Sequence, residues 1–212
     1  MSAKLTPTSY ALLGLLRLQP WSAYQLTTYM QSTALNFIWP RANAGIYNEP
    51  KKLVAHGLAT ARVEPNAGRR RTIYEITGKG RRALTEWLAR PNGEWSFASE
   101  AALQVFFADA TGIDELQTSL RTLIERVRAT YQIDQPLITR WLDEGPRFPG
   151  RLHFTAMMAD LISSLTGAID DWASRWLRLS ESWPDTTLNS INEAQAREIL
   201  ESLRETLRTR TR

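Results

Sequence analysis

Three consecutive arginines, Arg69, Arg70 and Arg71, follow a glycine turn at Gly68, and Lys51 and Lys52 stand beside Tyr47 and Asn48 a little upstream. Guanidinium and ammonium groups at this density suit phosphate oxygens, while Asn48 and Lys51 can also hydrogen-bond to base edges. Side chains alternate along a strand, so Arg70 is expected to face away from the side shared by Arg69 and Arg71. A solvated loop or a guarded edge strand would use the same triplet. Tyr24 and Gln25 open an earlier helical stretch and can reach a phosphate backbone; packing for Tyr24 and plain solvation for Gln25 are the competing readings. Gly45, next to Ala44, would let a helix start come close to a phosphate.

Catalysis finds little to work with. His56 and His153 are the two histidines, far apart and without the spacing of a metal site, and the chain has no cysteine, which excludes disulfides, thiolate zinc sites and cysteine nucleophiles. Gly78-Lys79-Gly80 is too short to cradle a phosphate and reads as a helix start. Asp143-Glu144 and Asp170-Asp171 are adjacent pairs, which do not share a helix face. The expectation is a non-enzymatic protein with no metal and no cofactor.

The elements that must position the cations follow from periodicity. Residues 8–18 carry Tyr10, Leu13 and Leu16 at helical spacing and stop before Pro20. Ser22 is expected to cap a second helix to about Gln31, followed by a loop holding Trp39-Pro40. Asn43 is expected to cap a third helix, from Ala44 to His56, with an apolar stripe of Ile46, Leu53 and Val54 and a stop at Gly57. Pro50 removes one bond from that helix and predicts a bend. From Leu58 the period falls to two: Arg62-Val63-Glu64, a turn over Pro65-Asn66-Ala67-Gly68, then Arg70 to Ile76, a hairpin with a basic second strand. Thr77 caps a helix running to Leu88, and Pro91-Asn92-Gly93 marks a boundary.

The chain has 212 residues, 43% of them hydrophobic and 23% charged, an ordinary balance for one large or two small globular domains. The net charge of +4 is unevenly divided: residues 1–97 hold 13 Lys or Arg against 5 Asp or Glu, and residues 98–212 hold 13 against 17. A basic half suggests contact with a polyanion, and an acidic half suggests different work. No run approaches 18 consecutive apolar residues, so no membrane span and no membrane partner are expected. Lys4 ahead of Tyr10 to Leu16 imitates a secretory leader, but Arg17 breaks the run and no small-residue cleavage site follows; a first helix of a cytoplasmic protein is expected.

Three short helices and a basic hairpin are the parts of a winged helix-turn-helix, in which one helix enters the major groove and the hairpin lies along the backbone. The sequence resembles the PadR family of transcriptional regulators at Ser9-Tyr10-Ala11-Leu12-Leu13-Gly14-Leu15-Leu16, Ser22-Ala23-Tyr24-Gln25-Leu26, Gly45-Ile46-Tyr47, Lys51-Lys52-Leu53 and Gly57-Leu58. The likeness continues through Tyr74-Glu75-Ile76-Thr77-Gly78-Lys79-Gly80 to Ala83-Leu84 and Trp87-Leu88. It implies a winged helix-turn-helix joined to a helical dimerisation domain, in a repressor released by a small molecule. Pro50 departs from the aliphatic residue usual in the family at that place.

Beyond the boundary the chain reads as wholly helical. Ile113, Leu116, Leu120, Leu123 and Val127 form a narrow seam, Pro136 is expected to interrupt or kink that helix before Trp141, and Leu161, Leu165, Ile169, Trp172, Trp176 and Leu179 line the next. A last helix from about Ile191 holds Leu200, Leu203 and Leu207. The seam suits a partner helix, and two-fold homodimers are the commonest oligomers, though packing within one bundle accounts for the same residues. Trp141, Trp172, Trp176 and Trp183 suit a core more readily than a pocket. Arg151 and His153 are candidates for an anionic, aromatic or phenolic effector, and a surface salt bridge or helix end is the plainer account.

The fold class expected is mainly α, with a winged helix-turn-helix DNA-binding domain over 1–92 and an all-helical dimerisation domain over 93–212. The expected function is a DNA-binding, ligand-responsive repressor that meets a palindromic duplex operator as a homodimer. The alternative is a winged-helix module that binds an acidic protein.

Overall fold

The computed structural model describes residues 5–66, 69–90, 93 and 96–210, the side chains of Asn66 and Arg69 aside. The chain divides into two compact units, Met1–Trp95 and Ser96–Arg212.

In the first unit, α1 (Pro7–Leu18) starts where Thr6 and Ser9 cap each other and Pro7 takes the first helical position, where its missing N–H costs nothing. Leu12, Leu13 and Leu16 are buried along it. The short strand β1 (Trp21–Ser22) leads into α2 (Ala23–Gln31), whose N-cap is Ser22 as expected. The Trp21 indole N–H donates to the Leu15 carbonyl at 2.9 Å, fixing the turn between α1 and β1.

Two departures from the sequence reading follow. The stretch expected as a loop contains a one-turn helix, α3 (Ala34–Ile38), capped by Thr33, too short to show a period. The next helix, α4 (Asn43–Ala55), has Ala42 at its N-cap, so Asn43 lies inside the helix and does not cap it. Gly57, at φ 67°, closes α4 as expected, in the left-handed region that favours glycine.

Strands β2 (Ala59–Asn66) and β3 (Arg69–Ile76) pair antiparallel from Ala59↔Ile76 to Asn66↔Arg69. Pro65 and Asn66, expected in the turn, therefore extend the strand, and the connection at Ala67 and Gly68 lies outside the described residues. β1 adds a third strand through Trp21↔Tyr74 and Ser22↔Ile73, giving the order β1-β3-β2. Two residues are too few for a strand signal in sequence. α5 (Gly78–Leu88) begins at the Thr77 cap, as expected.

The second unit is helical: α6 (Glu100–Phe106), α7 (Ile113–Asp143), α8 (Leu152–Ser180) and α9 (Ser190–Arg210). α7 runs through Pro136 without interruption, which corrects the interruption but not the kink that the sequence allowed; a long helix can lose one bond and continue. Leu116, Leu120 and Ile124 on α7 are buried with Ala173 of α8, and Trp172, Trp176 and Trp183 pack around them. The seam expected to meet a partner helix is thus consumed within the unit. Arg128 on α7 pairs with Asp170 on α8 at 3.0 Å, and that hydrogen bond holds the Asp170 carboxyl below the usual aspartate range. By length and composition, Pro149–Ser180 is apolar enough to cross a membrane. The count of consecutive apolar residues stands, because Ser163, Ser164, Thr166 and Gly167 break the run.

Candidate nucleic-acid interface

The residues of α4 divide cleanly by face. Ile46, Glu49, Pro50 and Leu53 are buried, at the i, i+3, i+4, i+7 spacing of an inward stripe. Val54, placed in that stripe by sequence, is only half-buried. Pro50 is a core residue: its ring fills the inward face, which is why the helix keeps it despite the lost bond. Tyr47, Asn48, Lys51 and Lys52 occupy the outward face, with Tyr47 49% exposed.

Those four side chains are not equivalent. Lys51 is exposed and makes no ion pair among the described residues. Lys52 is held 3.0 Å from the Glu49 carboxylate. The Asn48 amide donates to the Ala44 carbonyl at 3.1 Å. Tyr47 lies close to Tyr74 of β3; burial, with the Tyr47 phenol beside it, pushes the Tyr74 hydroxyl above the ordinary tyrosine range. Gly45 is exposed, and a Cβ there would meet nothing within 4 Å, so packing within the chain does not demand a glycine.

The arginine triplet is likewise unequal. Arg70 is exposed. Arg71 pairs with Glu64 across the hairpin at 3.3 Å, and Glu64 also holds Arg62 at 3.0 Å. Its Nε is buried without a hydrogen-bond partner. Arg71 thus belongs to the hairpin's own ion-pair network, a tie created by the register Glu64↔Arg71. The side chain of Arg69 lies outside what the structure describes.

On α2, Tyr24 is 72% exposed, so it is not a packing residue. Gln25 is engaged locally: its side-chain oxygen accepts the Ser22 N–H at 2.9 Å, completing a capping box. In the second unit Arg151 and His153 both lie against Phe154, with the guanidinium 5.0 Å from the ring centre and the imidazole 4.1 Å. Sequence reasoning missed two residues. One is Glu49, whose partner Ser9 is 40 positions away. The other is Arg41, stacked 3.9 Å over the Trp39 ring two residues before α4, where an adjacent Trp-Pro-Arg was the available signal. No group of metal-ligating residues occurs among the described residues.

Residues 12–86 match the Transcriptional regulator PadR-like family. The matched stretch lies within the first unit. The likeness seen in the sequence is borne out over that stretch. Over 82 residues the chain is 35% identical to the negative transcriptional regulator PadR of Bacillus subtilis (strain 168), a match covering 38% of this chain and 44%, less than half, of that relative. The crystal structure of Bacillus subtilis PadR in complex with operator DNA superposes with a TM-score of 0.71 at 22% identity, covering 81% of this chain and 98% of that one. The same protein in complex with p-coumaric acid gives 0.64 at 22%, covering 82% and 98%. These two likenesses show the winged helix-turn-helix fold.

Proposed function

We propose that the chain is a transcriptional regulator that binds duplex DNA as a two-fold dimer, with residues 1–92 reading the duplex and residues 93–212 pairing the two copies. The observation that carries the reading is the outward face of α4, where Tyr47, Asn48 and Lys51 stand exposed opposite a buried stripe. Lys51 and Arg70 are the cations assigned to phosphate or base contact, because Lys52 and Arg71 are tied to Glu49 and Glu64. Tyr24 is assigned to the backbone, and Gly45 to a close approach that leaves the helix N-terminus open to a phosphate.

Binding to duplex fragments from the chain's own promoter region tests the reading. Affinity falls steeply with salt, and Lys51→Ala weakens binding and lowers the salt slope by about 1 if Lys51 meets a phosphate. Absence of duplex binding at low salt overturns it in favour of a protein-interaction module.

The pairing surface is assigned to apolar side chains that the second unit leaves outside its own core. Phe106 on α6 is 77% exposed, and Met157, Leu161 and Leu165 on α8 and Leu200 and Leu203 on α9 are exposed as well. A helix covered by a second copy has the same apolar composition as a membrane-spanning one. Light scattering is expected to give a dimer at micromolar concentration, and Leu161→Asp to shift it toward monomer; a monomeric parent chain would overturn the assignment. A two-fold dimer places its reading helices roughly 34 Å apart, or a multiple of that, on a palindromic site.

Repression is proposed because the curated relative is a negative regulator. The p-coumaric acid complex makes a small aromatic acid the effector class to test first, with Arg151 and His153 on Phe154 as its assigned residues.

A further inference from the structure

One face of α5 has no part in the reading above. Lys79, Arg82, Glu86 and Trp87 follow one another at steps of three, four and one, and Arg90 continues the row just beyond the helix end. That spacing sets them on one side of the helix, while Gly80 and Leu84 turn inward. Together with Tyr10 of α1 they line a cavity of about 350 Å³ whose remaining walls include Leu58 and His56.

The cavity stands apart from the surfaces assigned to DNA. Its wall at His56 lies nine residues along α4 from Tyr47, roughly 13 Å at the helical rise. Leu58 adjoins the root of the hairpin, about 23 Å from the tip at Asn66↔Arg69.

Its chemistry is specific in two respects. Three fixed cations face one carboxylate, which leaves a net charge of +2 from the permanently charged side chains. One wall is flat and aromatic: Tyr10 and Trp87 stack at 4.8 Å with their planes 6° apart, and Trp87 remains partly exposed. Lys79 is already held in place, its ammonium donating to the His56 carbonyl at 2.9 Å, with two further N–H groups to offer. A carboxylate monoanion would neutralise only half of this charge. A phosphate monoester neutralises all of it, and its oxygens match the donor fork of an arginine. A planar ring on that ester would lie along the Trp87 wall.

We infer that this cavity is a binding site for a phosphate monoester carrying a planar ring, the chemistry of a mononucleotide. Lys79, Arg82 and Arg90 hold the phosphate and Trp87 holds the ring. Glu86 opposes the charge of the ligand and keeps the affinity moderate. The inference rests on the cavity alone and is independent of DNA binding, since its test contains no DNA.

The test is calorimetric titration of the full chain with adenosine monophosphate, inorganic phosphate, adenosine and p-coumarate. Adenosine monophosphate is expected to bind once per chain with a submillimolar Kd, at least tenfold tighter than each of the other three. Arg82→Ala with Arg90→Ala is expected to weaken it at least tenfold. Glu86→Gln is expected to tighten it about threefold, a gain that damaged folding would not produce. Absence of saturable binding at millimolar nucleotide overturns the inference. So does binding that survives the double substitution, an affinity unchanged or weakened by Glu86→Gln, or p-coumarate or phosphate binding as tightly as the nucleotide.

Discussion

Gly80→Ala is expected to cost the N-terminal unit about 3 kcal/mol, at the upper end of overpacking effects. A Cβ at residue 80 would sit 2.1 Å from the Leu58 carbonyl oxygen and 2.9 Å from a side-chain carbon of Ile76. The first obstacle is backbone and has no rotamer by which to escape. The Leu58 carbonyl also accepts the Thr77 N–H at 3.0 Å, and the Thr77 hydroxyl accepts the Gly80 N–H at 3.0 Å. Relieving the clash therefore pulls the whole start of α5 away from the hairpin root. For a unit of this size the loss corresponds to a drop of roughly 15 °C in its Tm, read by circular dichroism. Gly78→Ala is the matched control. Its Cβ would meet only the tip of Arg82 at 3.8 Å, and alanine favours the helix, so its Tm should hold or rise. Equal effects of the two substitutions would refute the close-approach account.

Glu49→Ala is the second large effect. Glu49 is 6% exposed and faces inward from α4, where the Ser9 hydroxyl donates to its carboxylate at 2.5 Å and the Lys52 ammonium lies 3.0 Å away. Ser9 is itself buried, and its oxygen accepts the Thr6 N–H at 3.0 Å. One chain of bonds therefore runs from the cap of α1 into the middle of the proposed reading helix. It meets α4 next to Pro50, where the helix has lost a bond of its own. Removing the carboxylate is expected to cost about 2–3 kcal/mol, the range for a hydrogen bond to a charged group. Ser9→Ala leaves a buried carboxylate one donor short and is expected to cost about 2 kcal/mol. Measured by urea unfolding, the double variant should lose less than the sum, with a coupling of about 1 kcal/mol. Simple additivity would show that the two groups do not act through each other. Glu49→Ala also releases Lys52, so duplex affinity should change in this variant more than its stability loss alone accounts for.

These two residues show where sequence reasoning reached its limit. Ser22 and Thr77 were legible as caps because the bond each makes lies within three residues. The hairpin was legible because alternation and a turn signal are local, and Gly57 because one backbone conformation demands it. Glu49 reads as one more charged residue on a basic helix until Ser9, 40 positions earlier, is brought against it. Arg71 reads as a free cation until the strand register sets Glu64 opposite. The α7 seam is the same story: heptad spacing says that a partner exists, and Ala173 says that the partner belongs to the same chain.

The sequence by itself determined the order of the longer helices and the hairpin, the caps at Ser22 and Thr77, the basic first half and the family likeness, since each of these depends on neighbours within a turn or two; the short α3 and β1 and the start of α4 at Ala42 escaped it. Only the tertiary structure decided which cations remain outward, which apolar stripe is already covered, and why Gly80 and Pro50 stand where they do. Those outcomes depend on pairs far apart in the chain, whose distances are set by how whole elements pack and not by any local preference.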